Sequence, residues 1–351
     1  MKIVMVKHYL NKLILMTNFK NYKSFRDEAM LDMTAVSNVK DFSERVVSVG
    51  NEKLLTLASI YGANASGKSN VYGAFRYMTI YVKYSFGFGG DDTFAESIFP
   101  VPFLFDSVSE KEDSEFEVYF IISDGSKEKC YNYGFCINHE EITEEWLNVK
   151  MNAEDSYKTV FYRSKADNKL DLSGLTEDRR ENIRLSLEKE TLIVSLGAKL
   201  KIGECKVVRD WFAENRFADF ANTAENFYLS RRLPKNFGED KAVQKKVIEY
   251  LATFDKHIKG FKTKRIQNLN NDIERSYKIS SVHNKIDSMS VAEIPLWQES
   301  AGTLKMFALY PDLQEVLQKG RVVVFPITGV GSGSRTPLPF FHFFAVVYIQ
   351  M

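Results

Sequence analysis

The 351-residue sequence has only three cysteines, eight prolines and five histidines. Cys130, Cys136 and Cys205 form no C-x-x-C pair, which excludes a disulfide framework or a structural zinc site and favours a reducing, cytoplasmic setting. Cys130 and Cys136 stand six apart on one face of an expected strand and read as buried core thiols. His8, His139, His257, His283 and His342 show no metal-ligand spacing, and no nucleophile elbow accompanies them. His139-Glu140-Glu141 reads as a solvated strand end. No apolar run approaches the roughly 20 residues of a membrane helix, so no membrane partner is expected. With 47 basic and 46 acidic residues the net charge is +1, which excludes a histone-like binder and an acidic tail protein. The remainder, 44% apolar and 26% charged, is that of a soluble globular chain sized for one large domain or two ordinary ones.

Both ends depart from that composition. Residues 1–15 carry lysines and an apolar stretch but no cleavage site, and Met16 is the expected first residue of the domain. Residues 325–351 have one charged residue, Arg335, where the chain average gives about seven. They also hold Pro326, Pro337 and Pro339. A Pro/Gly-rich surface tail is one reading; a frameshift or junction product beginning after Val324 is the other.

Residues 54–61, LLTLASIY, read as a buried strand, and Val71, Ala74, Phe75 and Met78 give helical spacing over 69–83. Alternation in EFEVYFII and YNYGFCI, with Asp124-Gly125 between them, predicts a hairpin within an antiparallel β-layer over 101–164. Residues 176–255 read as mainly helical, broken near Pro234 and Gly238. Residues 256–278 hold seven basic residues against Asp272 and Glu274 and are read as a solvated helix face, with a nucleic-acid or partner surface as the alternative.

The motif that carries chemistry lies between that strand and that helix. Gly62-Ala63-Asn64-Ala65-Ser66-Gly67-Lys68-Ser69 fits G-x-x-x-x-G-K-[ST]. Small residues let successive backbone N–H groups point at phosphate oxygens, and a helix start adds partial positive charge. Lys68 is expected on the β- and γ-phosphates and the Ser69 hydroxyl on Mg²⁺. Two classes of P-loop protein compete. Asn284-Lys285-Ile286-Asp287 and Asp171-Leu172-Ser173-Gly174 resemble the N-K-x-D and D-x-x-G of GTPases, but neither follows an apolar strand. Against this stands Glu299-Ser300-Ala301-Gly302-Thr303, where Ser300 suits a helix cap and Gly302 a close approach to phosphate. A helix with a kink or restart at Pro311, Gly320 as its stop and the apolar strand Arg321–Val324 follow in order, as an ABC-type ATPase requires.

At these residues the chain resembles the ABC-type AAA ATPases of bacteria and archaea known as ATP-binding or abortive-infection proteins. They are related to the head domains of SMC proteins and of the overcoming-lysogenization-defect nucleases. Asn18–Phe25, Ile60–Asn70, Val101–Asp106 with the strands after it, and Glu299–Leu309 carry the resemblance, which spans about residues 16–324. It implies an α/β fold: a P-loop NTPase, ABC-ATPase-like head with an antiparallel β-layer and a helical lobe. The expected organisation is an extension (1–15), a P-loop core with β-layer (16–175), a helical lobe (176–290), the signature helix with the start of the Walker B strand (291–324), and an atypical tail (325–351).

By resemblance, Gly62 through Asn70 hold the phosphates of ATP with Mg²⁺, and Lys23 and Ser24 approach from the first strand. Ser300, Gly302 and Thr303 contact the γ-phosphate on a second protomer. A homodimer closed by ATP follows, with a nuclease or other effector, or nucleic acid, as further partner and phage defence as setting. One departure stands out. The family's Asp-Glu pair should follow Val324, yet Phe325-Pro326 stands there and no acidic residue occurs after Glu315. The sequence thus predicts weak ATP binding, negligible hydrolysis and an open apolar sheet edge at 321–324. A regulatory nucleotide-binding module and an inactive gene fragment are the alternative readings.

Overall fold

Alternation of large apolar with polar residues makes the longest strands. The computed structural model describes residues 12–36, 46–50, 52–60, 63, 65–88, 98–123, 127–151, 154–219, 232–266, 277–319, 321–328 and 342–347. The chain opens with β1 (Lys12–Lys20) and β2 (Ala29–Asp32), then the short hairpin of β3 (Val46–Val49) and β4 (Glu52–Leu55), then β5 (Leu57–Ile60) and helix α1 (Lys68–Tyr84). Five strands follow: β6 (Ser114–Ser123), β7 (Glu128–Ile137), β8 (Ile142–Met151), β9 (Lys158–Ser164) and β10 (Lys169–Asp171). They join β1 and β2 in one antiparallel sheet ordered β10-β9-β8-β7-β6-β1-β2. This is the predicted β-layer, except that residues 101–113, Val101–Asp106 among them, hold no strand and its strands after β2 begin at Ser114; Asp124-Gly125 lie outside the described residues, but Ser123 pairs Glu128 as a hairpin requires.

One face of the layer carries Phe116, Phe120, Tyr131, Tyr133 and Phe135, all essentially buried. Helices α2 (Glu177–Ser186), α3 (Ile193–Lys199) and α4 (Gly203–Glu214) follow the layer in sequence, and residues of α1, α3 and α4 share this core. Phe120 stacks on Trp211 of α4 at 4.2 Å, and Tyr81 of α1 on Phe135 at 5.7 Å. Such pairs add about 0.5–1.5 kcal/mol each beyond the area they bury. Cys130 and Cys136 sit on the opposite face of β7, and the expectation of buried core thiols holds for Cys130, a member of the core, and is corrected for Cys136. Cys130 is buried but Cys136 is only half-buried. Burial pushes the Cys130 thiol up to about 11, and those of Cys136 and Cys205 higher still.

Within this core Glu145 of β8 has no exposed surface. Its carboxylate meets Arg163 at 3.1 Å and accepts from the backbone N–H groups of Ile193 (2.7 Å) and Val194 (3.0 Å) and from the Tyr133 hydroxyl (3.1 Å). Burial pushes this carboxyl above its usual range, against the pull of Arg163 and of the donors.

The remaining elements are β11 (Arg216–Phe217), α5 (Lys241–Leu251), β12 (Ile258–Arg265), β13 (Tyr277–Asn284), β14 (Val291–Pro295), α6 (Ala301–Lys319), β15 (Val323–Thr328) and β16 (His342–Val347). A second sheet runs β11-β15-β16-β5. β16 is antiparallel to both β15 and β5, so β5, β15 and β11 run in one direction. Helix α1 packs on β15 and β16.

Several expectations need correction. The first strand begins at Lys12, ahead of the boundary drawn at 16, and Leu13 and Ile14 are core residues. The run 54–61 is two strands divided at Thr56: β4 pairs β3, β5 pairs β16, and Leu57 is exposed. No described residue of the basic stretch 256–278 is helical. Its described residues lie in β12 and at the start of β13, inside the three-stranded meander β12-β13-β14, so the region 176–290 is helical only in part. Helix α6 runs through Pro311 without restarting. Its buried Asp312 takes both Arg232 guanidinium nitrogens, at 2.8 and 3.1 Å. The strand after Arg321 is no open edge, since β11 and β16 flank β15.

Candidate nucleotide-binding site

The Walker A loop leaves the carboxyl end of β5 and turns into α1. Gly62 and Asn64 lie outside the described residues. Ala65 and Gly67 both adopt the left-handed conformation, with φ of 62° and 87°. Left-handed residues interrupting a turn swing successive N–H groups to one side, making a concavity for anions. The first N–H groups of α1 have no acceptor within the helix, and no side chain caps it from Gly67.

Lys68 is buried and turns back into the loop, donating to the Ala63 carbonyl and, at 3.3 Å, to the Ser66 hydroxyl. Ser69 is exposed at the helix start. The floor comes from the turn after β1. Ser24 Oγ accepts from the Asn70 amide at 2.7 Å. A Cβ added at Gly67 would meet Ser24 Oγ at 2.7 Å and the Phe25 ring at 3.0 Å. Gly67→Ala should therefore lose ATP binding in titration calorimetry. Its fold should weaken by about 1–2 kcal/mol, the penalty of a left-handed residue bearing a Cβ.

Ser24 lies against Gly67 and Asn70 at the start of α1. The Lys23 ammonium lies 5.3 Å from the Tyr22 ring centre and beside Gly73, on the second turn of α1. Burial pushes the neighbouring Tyr22 phenol up to about 12, so it stays neutral.

The signature motif opens α6. Ser300 Oγ accepts from the Thr303 backbone N–H at 3.1 Å and lies 2.8 Å from the Thr303 hydroxyl, a side-chain cap. Gly302 has no need of its glycine within the chain: an added Cβ would meet only Ser300 Oγ, at 3.8 Å. Ala308, Leu309, Leu313 and Val316 of α6 pack with Val323, whereas Val324 joins the core that contains α1. Neighbouring residues of a strand point to opposite faces. The Walker A helix and the signature helix therefore cover opposite faces of the second sheet.

Sequence reasoning missed what holds this motif. Glu299 accepts from the Ser281 hydroxyl and from His283 Nε2, the latter at 2.7 Å. The same Nε2 lies 3.2 Å from Ser281 Oγ. A catalytic triad sets its acid and its nucleophile on different ring nitrogens, so this knot ties β13 to the helix start rather than activating Ser281. No signal short of the β13 register would have found it. The GTPase-like patterns fall away as well. Asp171 ends β10 at the far edge of the first sheet, and Asn284 ends β13, so neither follows a strand of the Walker A sheet. Among the described residues no cluster of ligating side chains fits a metal ion, and no helix is long and apolar enough to cross a membrane.

No curated protein matches this chain. A solved structure described as "Structure of the recombination mediator protein RecF-ATP in RecFOR pathway" is 12% identical, with a TM-score of 0.30, over 91% of this chain and 85% of that one. A likeness at that score carries no argument. Residues 57–325 match the family described as "AAA domain, putative AbiEii toxin, Type IV TA system". The match runs from the Walker A strand β5 into β15 and takes in both motifs, so the chain is a P-loop NTPase belonging to this AAA-domain ATPase family.

Proposed function

We propose that this chain binds ATP with Mg²⁺ and that bound ATP joins two protomers head to head, switching an effector. The observation that carries the reading is the Walker A cradle: left-handed Ala65 and Gly67, the uncapped start of α1 and the inturned Lys68. On binding, Lys68 would exchange its loop acceptors for phosphate oxygens, and Ser69 would supply a hydroxyl to the metal. ATP with its metal supplies the exchangeable charge between protomers. Ser300, Gly302 and Thr303, on the other face of the sheet from α1, would serve the partner's nucleotide.

A second reading, a nucleotide-binding regulatory module without turnover, draws on one observation. β15 carries Phe325 and Pro326 where the resemblance places a carboxylate pair. Occupancy rather than hydrolysis would then set the switch. The effector would be a nuclease or another protein, and the setting phage defence or DNA metabolism, in the cytoplasm where free thiols persist.

Light scattering after size exclusion tests the dimer. With Mg²⁺ and ATP the wild type should double in mass, and Gly302→Asp should stay at the monomer mass. An acidic residue in the first turn of a helix does not harm it, and a Cβ at Gly302 meets only Ser300 Oγ, at an ordinary contact distance of 3.8 Å. The variant should therefore melt and bind ATP like the wild type. A Gly302→Asp chain that still dimerises with ATP would sink the trans-acting role of the motif.

A further inference from the structure

The register of the second sheet places one carboxylate at the nucleotide edge. β11 pairs parallel with β15, Arg216 opposite Val323 and Phe217 opposite Val324. The Ala218 N–H closes the Phe217–Val324 pair by donating to the Val324 carbonyl at 3.2 Å, and the ladder ends there. Carried two residues past the end of β11 at the same register, Asp219 falls level with Pro326. Pro326 pairs Phe344 of β16, and Phe344 pairs Ile60, the last residue of β5. Asp219 and the origin of the Walker A loop thus lie in one row, at the carboxyl ends of strands that run the same way. In open α/β sheets that edge is where ligands bind.

Alternation along β11 settles the face. Arg216 reaches Glu315 of α6 at 3.0 Å, and Ala218 packs in the α6 cluster. Phe217 points the other way, its ring 5.7 Å from both Tyr72 and Phe75 of α1. If the alternation runs two residues past the end of β11, Asp219 takes the α1 face as Phe217 does. It lies about 6.6 Å further toward the carboxyl edge than Phe217. Lys68 lies one turn, roughly 5.4 Å, closer to that edge than Tyr72. Both steps go the same way, so Asp219 is carried to the end of α1 that bears Lys68 and Ser69.

We propose that Asp219 is the carboxylate that anchors the magnesium ion of bound ATP, in place of an acidic residue on β15. This rests on the ATP-binding reading above. A carboxylate is a hard oxygen donor suited to Mg²⁺, which keeps several of its waters and is held through one or two carboxylates together with phosphate oxygens. Asp219 acts here as a positioning residue for the metal. It does not supply the base for an attacking water, so the expectation of negligible turnover stands.

Titration calorimetry with ATP, in Mg²⁺ and in EDTA, tests the assignment on the full chain. Mg²⁺ should tighten ATP binding to the wild type. Asp219→Asn should lose about 10- to 100-fold of affinity in Mg²⁺, the range for removing a metal's supporting group, with no change in EDTA. Asp219→Glu should recover part of the Mg²⁺ effect, and it keeps the test alive if the Asn variant fails to fold. Unchanged Mg²⁺ dependence in Asp219→Asn would overturn the assignment alone, as would Mg²⁺-independent binding by the wild type. Absence of ATP binding by the wild type in both buffers would overturn the ATP-binding reading and this assignment with it.

Discussion

Lys68→Ala should bind ATP roughly 10- to 100-fold more weakly than the wild type, because a hydrogen bond to a charged group contributes about 1.5–3 kcal/mol. Neither protein should release phosphate at a measurable rate. The first half follows from the loop. Lys68 is the cation inside the cradle, and its present acceptors are a carbonyl and a hydroxyl of its own loop, both exchangeable for phosphate. The second half follows from β15, which bears no acidic residue to position a water. Loss of such a group alone removes on the order of 10²–10⁴ in rate. Calorimetry and a phosphate-release assay on both proteins check the two halves separately. Steady phosphate release that needs Lys68 would show that another residue does the work of a β15 carboxylate.

The largest expected loss of stability is at Glu145→Ala. The substitution leaves Arg163, 11% exposed, without its buried partner. It also strips the acceptor from two backbone N–H groups at the start of α3 and from the Tyr133 hydroxyl. Breaking a buried ion pair from one side weakens a fold by about 3–5 kcal/mol. Arg163 keeps one acceptor, the Thr191 carbonyl at 2.7 Å, which places the estimate at the lower end of that range. Glu145→Gln retains an acceptor and should lose less. Urea unfolding followed by tryptophan fluorescence reads both, since Trp211 lies in this core. A loss under about 1 kcal/mol, the scale of an exposed pair, would show that Glu145 does not hold the layer and its helices together.

Much of this architecture could be read from spacing. The Walker A match, the alternation of β6 and β7 and the cap at Ser300 are local signals, and each fixes a local geometry. What was illegible depends on pairing. The stretch 256–278 reads as helix because lysine and arginine favour helices and because a bulge between Ile258 and Gly260 sets the buried Ile258 and Phe261 three apart, a spacing that also suits a helix. LLTLASIY reads as one strand because nothing in its composition shows that β4 and β5 serve different sheets. Asp219 carries no motif at all. Its place appears only once β11 is set against β15 and the alternation of Arg216, Phe217 and Ala218 fixes its face. The Ser281-His283-Glu299 knot likewise needs the fold to bring residues of β13 to the start of α6.

The position of β16 between β5 and β15 has a consequence for the order in which the chain folds. β5 finds its sheet partner about 290 residues later in the sequence. At ribosomal speeds of about 5–20 residues per second, that interval lasts roughly 15–60 s. β6 to β9, joined by near-neighbour hairpins, can pair as they emerge. The nucleotide edge cannot, because its middle strand is the last of its four to be made. Contacts of such long range are slow to form. The order of synthesis therefore predicts that the hairpins of the first sheet can pair while β5 still lacks its sheet partner.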